Sequence, residues 1–294
     1  MSATPPAGVR VVDEASLERR SADAVQSARA SLRDTGALLL SLSPARAAQL
    51  GALLADSVAV LEHAAAHGPQ PPVRASVPED DKLVLRYRLH DPLAAVQCAT
   101  AADGGPFSAS RFEQAVETGC RTLTALGRLV LDTLSDAHDG AVGQKLDGLA
   151  PPLWSAELGK EYLHLFRYDA RGSGAGQHTD GGLLTLVVCA SPGLELHTPS
   201  GGWQPLHGGA AQVAVLAGEM LQGFATCGAD TVPPALHRVA PGGGQPRHSL
   251  VMRLRAPPAS LRSRGPSVPG RAAPCAQRQA PPAAARHALP ALIR

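Results

Sequence analysis

The chain has 294 residues, of which 44% are apolar and 18% charged, with a formal net charge of +2. That length suits one large domain or two small ones, and that composition suits a globular chain with a sizeable core. The near-neutral charge, with no basic stretch in the main body, gives no electrostatic reason to expect nucleic acid, and no run of about 18 apolar residues could span a membrane. Aromatic residues are only 3%, so Ala, Leu and Val must fill most of the core. The five cysteines, Cys98, Cys120, Cys189, Cys227 and Cys275, are odd in number, widely spaced and form no C-x-x-C pair. They suggest a reduced, cytoplasmic setting and neither a zinc ribbon nor a redox pair. Met1 to Arg10 is Pro/Ala-rich and lacks the apolar centre of a signal peptide.

Val11 and Val12 read as a short strand. Apolar residues recurring every three or four positions predict helices over Ala15–Asp34 and Pro44–Ala66, with a second short strand at Ala37–Leu40. Gly68–Glu79 carries several prolines and reads as a connection; Lys82–Leu89 alternates as a strand. The clearest helix runs from Ser108, a plausible N-cap, to His138, with Phe112, Val116, Cys120, Leu123, Leu126, Val130 and Leu134 on one face. Beyond residue 150, short β-prone runs follow one another between Gly, Pro or Ser clusters: Glu161–Tyr168, Leu183–Ala190, Gly193–Thr198, Gln212–Leu216, His237–Ala240 and His248–Arg255. That spacing predicts a sandwich or barrel, and helices followed by strands predict an α+β layout. Residues 1–150 form a mainly helical region packed on the core, 151–257 the β core, and 258–294 a flexible tail. The tail is rich in Pro, Ala and Arg and contains no acid.

The chemistry begins at His178-Thr179-Asp180. In an extended segment, side chains two apart point the same way, so this imidazole and this carboxylate can share one metal ion. With eleven histidines, one chance His-x-Asp match would be unsurprising. The downstream runs carry more weight. His237 can supply the third ligand of a 2-His-1-carboxylate face, which leaves coordination positions open. Arg247 and Ser249 are again two apart; an Arg captures a carboxylate bidentately and a Ser hydroxyl can donate beside it. His164, His197, His207 and His248 read as surface or packing residues, Trp203 as a core plug between sheets, and Cys189 and Cys227 as small buried hydrophobes. Gly218 and Glu219 read as a turn between strands.

Five segments together, HTDGGLLTLVV, GLELHTPSGGWQPL, VAVLAGEMLQGFA, LHRVAP and RHSLVMRLRAP, resemble the isopenicillin N synthase-like branch of the iron(II)/2-oxoglutarate-dependent oxygenases. The resemblance covers about Glu161 to Pro257 and is looser over VRVVD and DTGALLLSLSP. It implies a double-stranded β-helix, a jelly-roll core braced by N-terminal helices. It also implies iron held by His178, Asp180 and His237, with the far carboxylate of 2-oxoglutarate on Arg247 and Ser249, assisted by Tyr168. The expected cofactors are Fe(II), 2-oxoglutarate and O2, with ascorbate as a reductant. The expected reaction is oxidation of a small organic metabolite (hydroxylation, desaturation or ring closure) by a monomer with no nucleic-acid or membrane partner. Phe166 stands where the family has Asn, and Asp169 where it has Pro; both changes bear on Tyr168 and the inner contacts of the co-substrate. Other readings stay open: a catalytically silent ligand-binding relative, a family oxidase in which the Arg-x-Ser pair takes the main substrate's carboxylate instead of 2-oxoglutarate, and a zinc hydrolase on the same three ligands.

Overall fold

A computed structural model describes residues 4–67, 73–75, 82–88, 109–135, 162–189, 191–207, 209, 211–224 and 231–255. In chain order these hold β1 (Val11–Asp13), α1 (Glu14–Glu18), α2 (Ala22–Thr35), β2 (Ala37–Ser41), α3 (Pro44–His67), β3 (Val73–Ala75), β4 (Lys82–Arg88) and α4 (Ala109–Ser135). Then come β5 (Tyr162–Tyr168), β6 (Ala175–His178), β7 (Leu184–Cys189), β8 (Leu194–Thr198), β9 (Gly202–Pro205), β10 (Gln212–Ala217), α5 (Glu219–Phe224), β11 (His237–Val239) and β12 (Arg247–Leu254).

The strands form an eight-stranded sheet, ordered β1-β2-β10-β7-β12-β5-β4-β3, and a four-stranded sheet, ordered β6-β11-β8-β9. The period-two alternation of side chains decides what each face meets. From β12, Leu250, Met252 and Leu254 point one way. They join Leu163 and Leu165 of β5 and Leu186 of β7 in one cluster with Leu53 and Leu61 of α3 and Phe112 and Leu123 of α4. Val251, one position out of step, points the other way. It joins Val187, Ala214 and Leu39 in a second cluster with Leu194 and Leu196 of the small sheet. The molecule is therefore layered, with helices, large sheet and small sheet in turn. Each fully buried leucine in these clusters contributes roughly 1.5–3 kcal/mol; Leu123→Ala, at the centre of the α4 face, would cost about 2–5 kcal/mol.

All seven apolar residues foreseen on the α4 face are buried. The first predicted helix is in fact two. Asp13 caps α1 by accepting from the Ser16 amide at 2.8 Å, and Arg20, at φ 56, breaks the hydrogen-bond ladder before α2 begins. Gly36 then ends α2 at φ 71. Three short strands, β3, β6 and β9, lie outside the predicted runs; β6 (AGQH) has no β-branched or aromatic residue to announce it. The first 150 residues contribute β1 to β4 to the large sheet as well as helices.

Trp203 is not a plug between the sheets. It pairs with His197 across β8 and β9 and lies half-buried on the outer side of the small sheet. There the Arg238 guanidinium covers its ring at 4.3 Å and binds Glu195 at 2.6 Å. Two further expectations, the Ser108 cap and the tail over 258–294, lie outside the described residues. Among the described residues, no helix is long and apolar enough to cross a membrane.

Candidate functional site

His178 and His237 are direct cross-strand partners in β6 and β11, which puts their rings 4.4 Å apart between centroids. Each imidazole is fixed in the same manner. The His178 Nδ1 donates to the Gly176 carbonyl at 2.8 Å and the His237 Nδ1 to the Ala235 carbonyl at 2.9 Å, two residues back in both cases. With the proton on Nδ1, each Nε2 keeps its lone pair for a ligand. Asp180, just past the end of β6, completes the set: His178, Asp180 and His237 offer ligand atoms that all lie within 4.8 Å of one another. The donor set suits a metal with open positions.

The backbone around Asp180 is pressed into place. Its carbonyl accepts from the Glu219 amide at 2.8 Å, and the Leu183 amide donates to the Leu254 carbonyl at 2.7 Å. A Cβ on Gly218 would meet the Gly182 carbonyl oxygen at 2.1 Å. This glycine is required by close approach, not by a positive φ, and it leads into a helix and not into the strand-to-strand turn its sequence suggests.

Both carboxylate oxygens of Asp180 have partners. Thr185 donates to Oδ2 at 2.6 Å, and the Arg253 guanidinium lies 3.0 Å from Oδ1. Burial pushes this carboxyl up, but the Arg253 charge, the Thr185 hydrogen bond and the two imidazoles outweigh it and hold it below its ordinary 3.8. Burial likewise holds His237 below its ordinary 6.5, against the pull of the Ala235 carbonyl and Asp180. The site is thus prepared as a carboxylate and a neutral imidazole, the forms that bind metal.

Farther along the same face of the large sheet lie Arg247 and Ser249. They pair with Tyr168 and Phe166 of β5, and Ser249 also pairs with Cys189 of β7. Tyr168 is buried, with the Arg247 guanidinium 5.5 Å from its ring centroid. The structure thus brings Arg247, Ser249 and Tyr168 together. Arg247 is 7% exposed, and its Nε and Nη2 have no hydrogen-bond partner among the described residues. Its charge reaches Cys189, whose thiol burial pushes up, and His207, which burial holds down; neither offers it a negative charge. A buried guanidinium with two idle nitrogens is costly unless an anion comes to it. That orphaned cation fits the far carboxylate of an oxoacid held at the metal.

Of the four histidines set aside, His164 is buried edge-on against Phe166, which stacks on Tyr168. His248 faces the helices and meets Glu62 of α3 at 2.9 Å. Two residues at the site were missed in the sequence, Thr185 and Arg253. Arg253 continues the alternation Arg247, Ser249, Val251, so period two alone would have put it on the metal side.

No family model matches the chain, and no curated protein matches it in sequence. Solved structures do match. One is a full-length protein from Neurospora crassa in complex with alpha-KG and 5-formyluracil, with a TM-score of 0.63, 19% identity, and coverage of 88% of this chain and 91% of that one. Another, from Caulobacter crescentus, described as a 2OG-Fe(II) oxygenase family protein, gives 0.62 and 21%, covering 87% of each chain. The dioxygenase for auxin oxidation 1 from Arabidopsis thaliana, in a complex with 2-oxoglutarate, gives 0.61 and 18%, covering 85% of this chain and 93% of the other. At these identities the likeness shows a shared fold.

Proposed function

We propose that this protein is a non-haem iron(II), 2-oxoglutarate-dependent dioxygenase that oxidises a small organic molecule, with a jelly-roll core formed by its two facing sheets. One observation carries the reading. His178, Asp180 and His237 form a 2-His-1-carboxylate set, and β12, whose Arg253 reaches Asp180, carries on that same face the buried Arg247, whose Nε and Nη2 have no hydrogen-bond partner among the described residues. A hydrolytic zinc centre gives the second feature no work; an oxoacid that chelates the metal and extends a second carboxylate does. That several proteins of this fold were solved with alpha-KG or 2-oxoglutarate bound supports it further.

In this reading His178, Asp180 and His237 hold the iron, which supplies oxygen activation driven by decarboxylation of 2-oxoglutarate. The protein's own part is placement. The two backbone carbonyls behind the imidazoles fix which nitrogen faces the metal, and Thr185 fixes the plane of the Asp180 carboxylate. Arg247 and Ser249 receive the far carboxylate of the co-substrate, and Tyr168 borders that pocket. Val187, Val251 and Leu196 keep the neighbouring wall dry, which strengthens every charged contact inside. The test is to supply iron(II), ascorbate, oxygen and 2-oxoglutarate to the purified protein and to screen small metabolites for succinate and carbon dioxide release. Turnover restored by zinc(II) in place of iron(II), without succinate, would overturn the reading in favour of a hydrolase. Oxygen uptake without 2-oxoglutarate would reassign Arg247 to the main substrate.

A further inference from the structure

Arg253 has no part in holding the co-substrate as described, yet it sits against a metal ligand. Its Nη2 lies 3.0 Å from Asp180 Oδ1, while its side chain stays 27% exposed. Its Nε is buried and has no hydrogen-bond partner among the described residues. A guanidinium offers five N–H donors in a fixed fork, and the Asp180 oxygen occupies only one edge of it.

Arg253 is a poor choice for a mere clamp. Asp180 is already held by Thr185 through Oδ2 and by the Glu219 amide through its carbonyl. An uncharged donor could hold Oδ1 equally well. A fixed positive charge beside a divalent-metal site opposes the metal and lowers the charge the ligand set presents to it. That penalty is recovered when a further anion enters.

The anion is not the same carboxylate that Arg247 serves. Arg247 and Arg253 lie on one strand face six residues apart, so their α-carbons are separated by roughly 20 Å at a rise of about 3.3 Å per residue. One face of β12 therefore carries a guanidinium against a metal ligand and a second one well removed from it along the strand.

Resting on the oxygenase reading, we propose that Arg253 anchors a carboxylate of the prime substrate, so that the molecule oxidised is an organic acid. The exposed outer edge of the guanidinium would receive that carboxylate beside Asp180, fixing which carbon lies at the metal. A second source of the same chemistry is the keto-acid end of the co-substrate itself, and the test separates the two.

The test uses the full chain loaded with zinc(II), which has no redox chemistry, and saturated with 2-oxoglutarate. Probes are matched pairs of small aliphatic and aromatic monocarboxylates and their carboxamides, phenylacetate and phenylacetamide among them, titrated by calorimetry against wild type, Arg253→Gln and Arg253→Lys. The expected result is binding by one or more carboxylates, with the matching carboxamide at least about tenfold weaker. Arg253→Gln should lose about ten- to a hundredfold in carboxylate affinity, and Arg253→Lys should recover part of it. Affinity for zinc(II) alone should be equal or tighter in Arg253→Gln, because an opposing charge is gone.

Equal binding of acid and amide, or no binding by any carboxylate in the panel, overturns the proposal; both are read on wild type, whatever the variants do in folding. Loss of zinc(II) affinity in Arg253→Gln makes Arg253 a positioning residue for Asp180 and also overturns it. A loss confined to 2-oxoglutarate gives Arg253 to the co-substrate and overturns it as well. Failure of the underlying reading shows separately, as wild type that takes up neither zinc(II) nor 2-oxoglutarate, and it removes this proposal too.

Discussion

Arg247 makes an unusual prediction because its worth has opposite signs in the empty and the filled site. In the empty protein it is a buried cation whose Nε and Nη2 have no hydrogen-bond partner among the described residues and whose polar neighbours are the Cys189 thiol and His207. Each unsatisfied buried donor costs about 1–3 kcal/mol. Replacing Arg247 by Met keeps the apolar stem and removes the idle donors, so the ligand-free variant should be more stable by about 1 kcal/mol or more. In a chain of this length each kcal/mol is about 1.5–2 °C in melting temperature. In the filled protein the same guanidinium gains charge-assisted contacts worth about 1.5–3 kcal/mol each, or about ten- to a hundredfold in affinity. With two nitrogens waiting, the upper end is expected. The assay is thermal unfolding of the zinc(II)-loaded protein with and without 2-oxoglutarate. At a concentration about a hundred times the wild-type Kd, the ligand stabilises wild type by about 2.7 kcal/mol, whereas a variant about a hundredfold weaker gains only about 0.4 kcal/mol at that concentration. A ligand-free variant that melts several degrees lower, with its 2-oxoglutarate stabilisation intact, would refute both halves of the reasoning.

Three further outcomes follow from the same geometry. Asp180→Ala removes the only carboxylate of the triad and leaves Arg253 without its acidic partner beside two imidazoles, so calorimetry should show iron(II) affinity lost by about a hundredfold or more, about 2.7 kcal/mol. Gly218→Ala drives a Cβ to 2.1 Å from the Gly182 carbonyl oxygen. Urea unfolding should register a loss of about 1–3 kcal/mol, with weaker metal binding because the Asp180 turn must shift. His207, His237 and His248 are all held below their ordinary 6.5, burial being the first cause in each, and for His248 the nearby Glu62 only partly offsets it. The unfolded chain then binds more protons than the folded one just below that value. Stability of the metal-free protein should therefore be full above pH 6.5 and fall as the pH drops through the depressed values, an effect that urea titrations from about pH 8 to about pH 5 would measure. His248→Gln should flatten that slope.

What the sequence made legible was periodicity. The α4 face could be read because a 3.6-residue period survives from Phe112 to Leu134. The strands after residue 162 could be read because Val and Leu runs are punctuated by Gly and Pro. What could not be read was anything that depends on contact between distant segments. β6 has four residues of low β-propensity and exists as a strand because β11 pairs with it, through His178 and His237. The break between α1 and α2 lies at an arginine in a left-handed conformation, which no residue preference foretells. By its size Trp203 belongs inward. It lies outward because its register partner is His197, and alternation along β8 puts Leu194 and Leu196 on the inner side instead.

The site shows the same division. The spacing of His178 and Asp180, and of Arg247 and Ser249, was enough to propose the groups, because two-residue spacing fixes a common face once the segment is extended. The same rule applied for two more turns of the pleat reaches Arg253, which shares that face by arithmetic. Its neighbour does not follow from arithmetic. Asp180 lies past the end of its strand, and it meets Arg253 because the Leu183 amide ties the following turn to the end of β12 while Gly218 lets the backbone of α5 press it from the other side. A strand thus carries two guanidinium groups on one face. One is buried with two nitrogens that meet no acceptor among the described residues, and the other is shared between a metal ligand and open space. The first asks for the far end of a chelated diacid, and the second for a charge that arrives with the molecule to be oxidised.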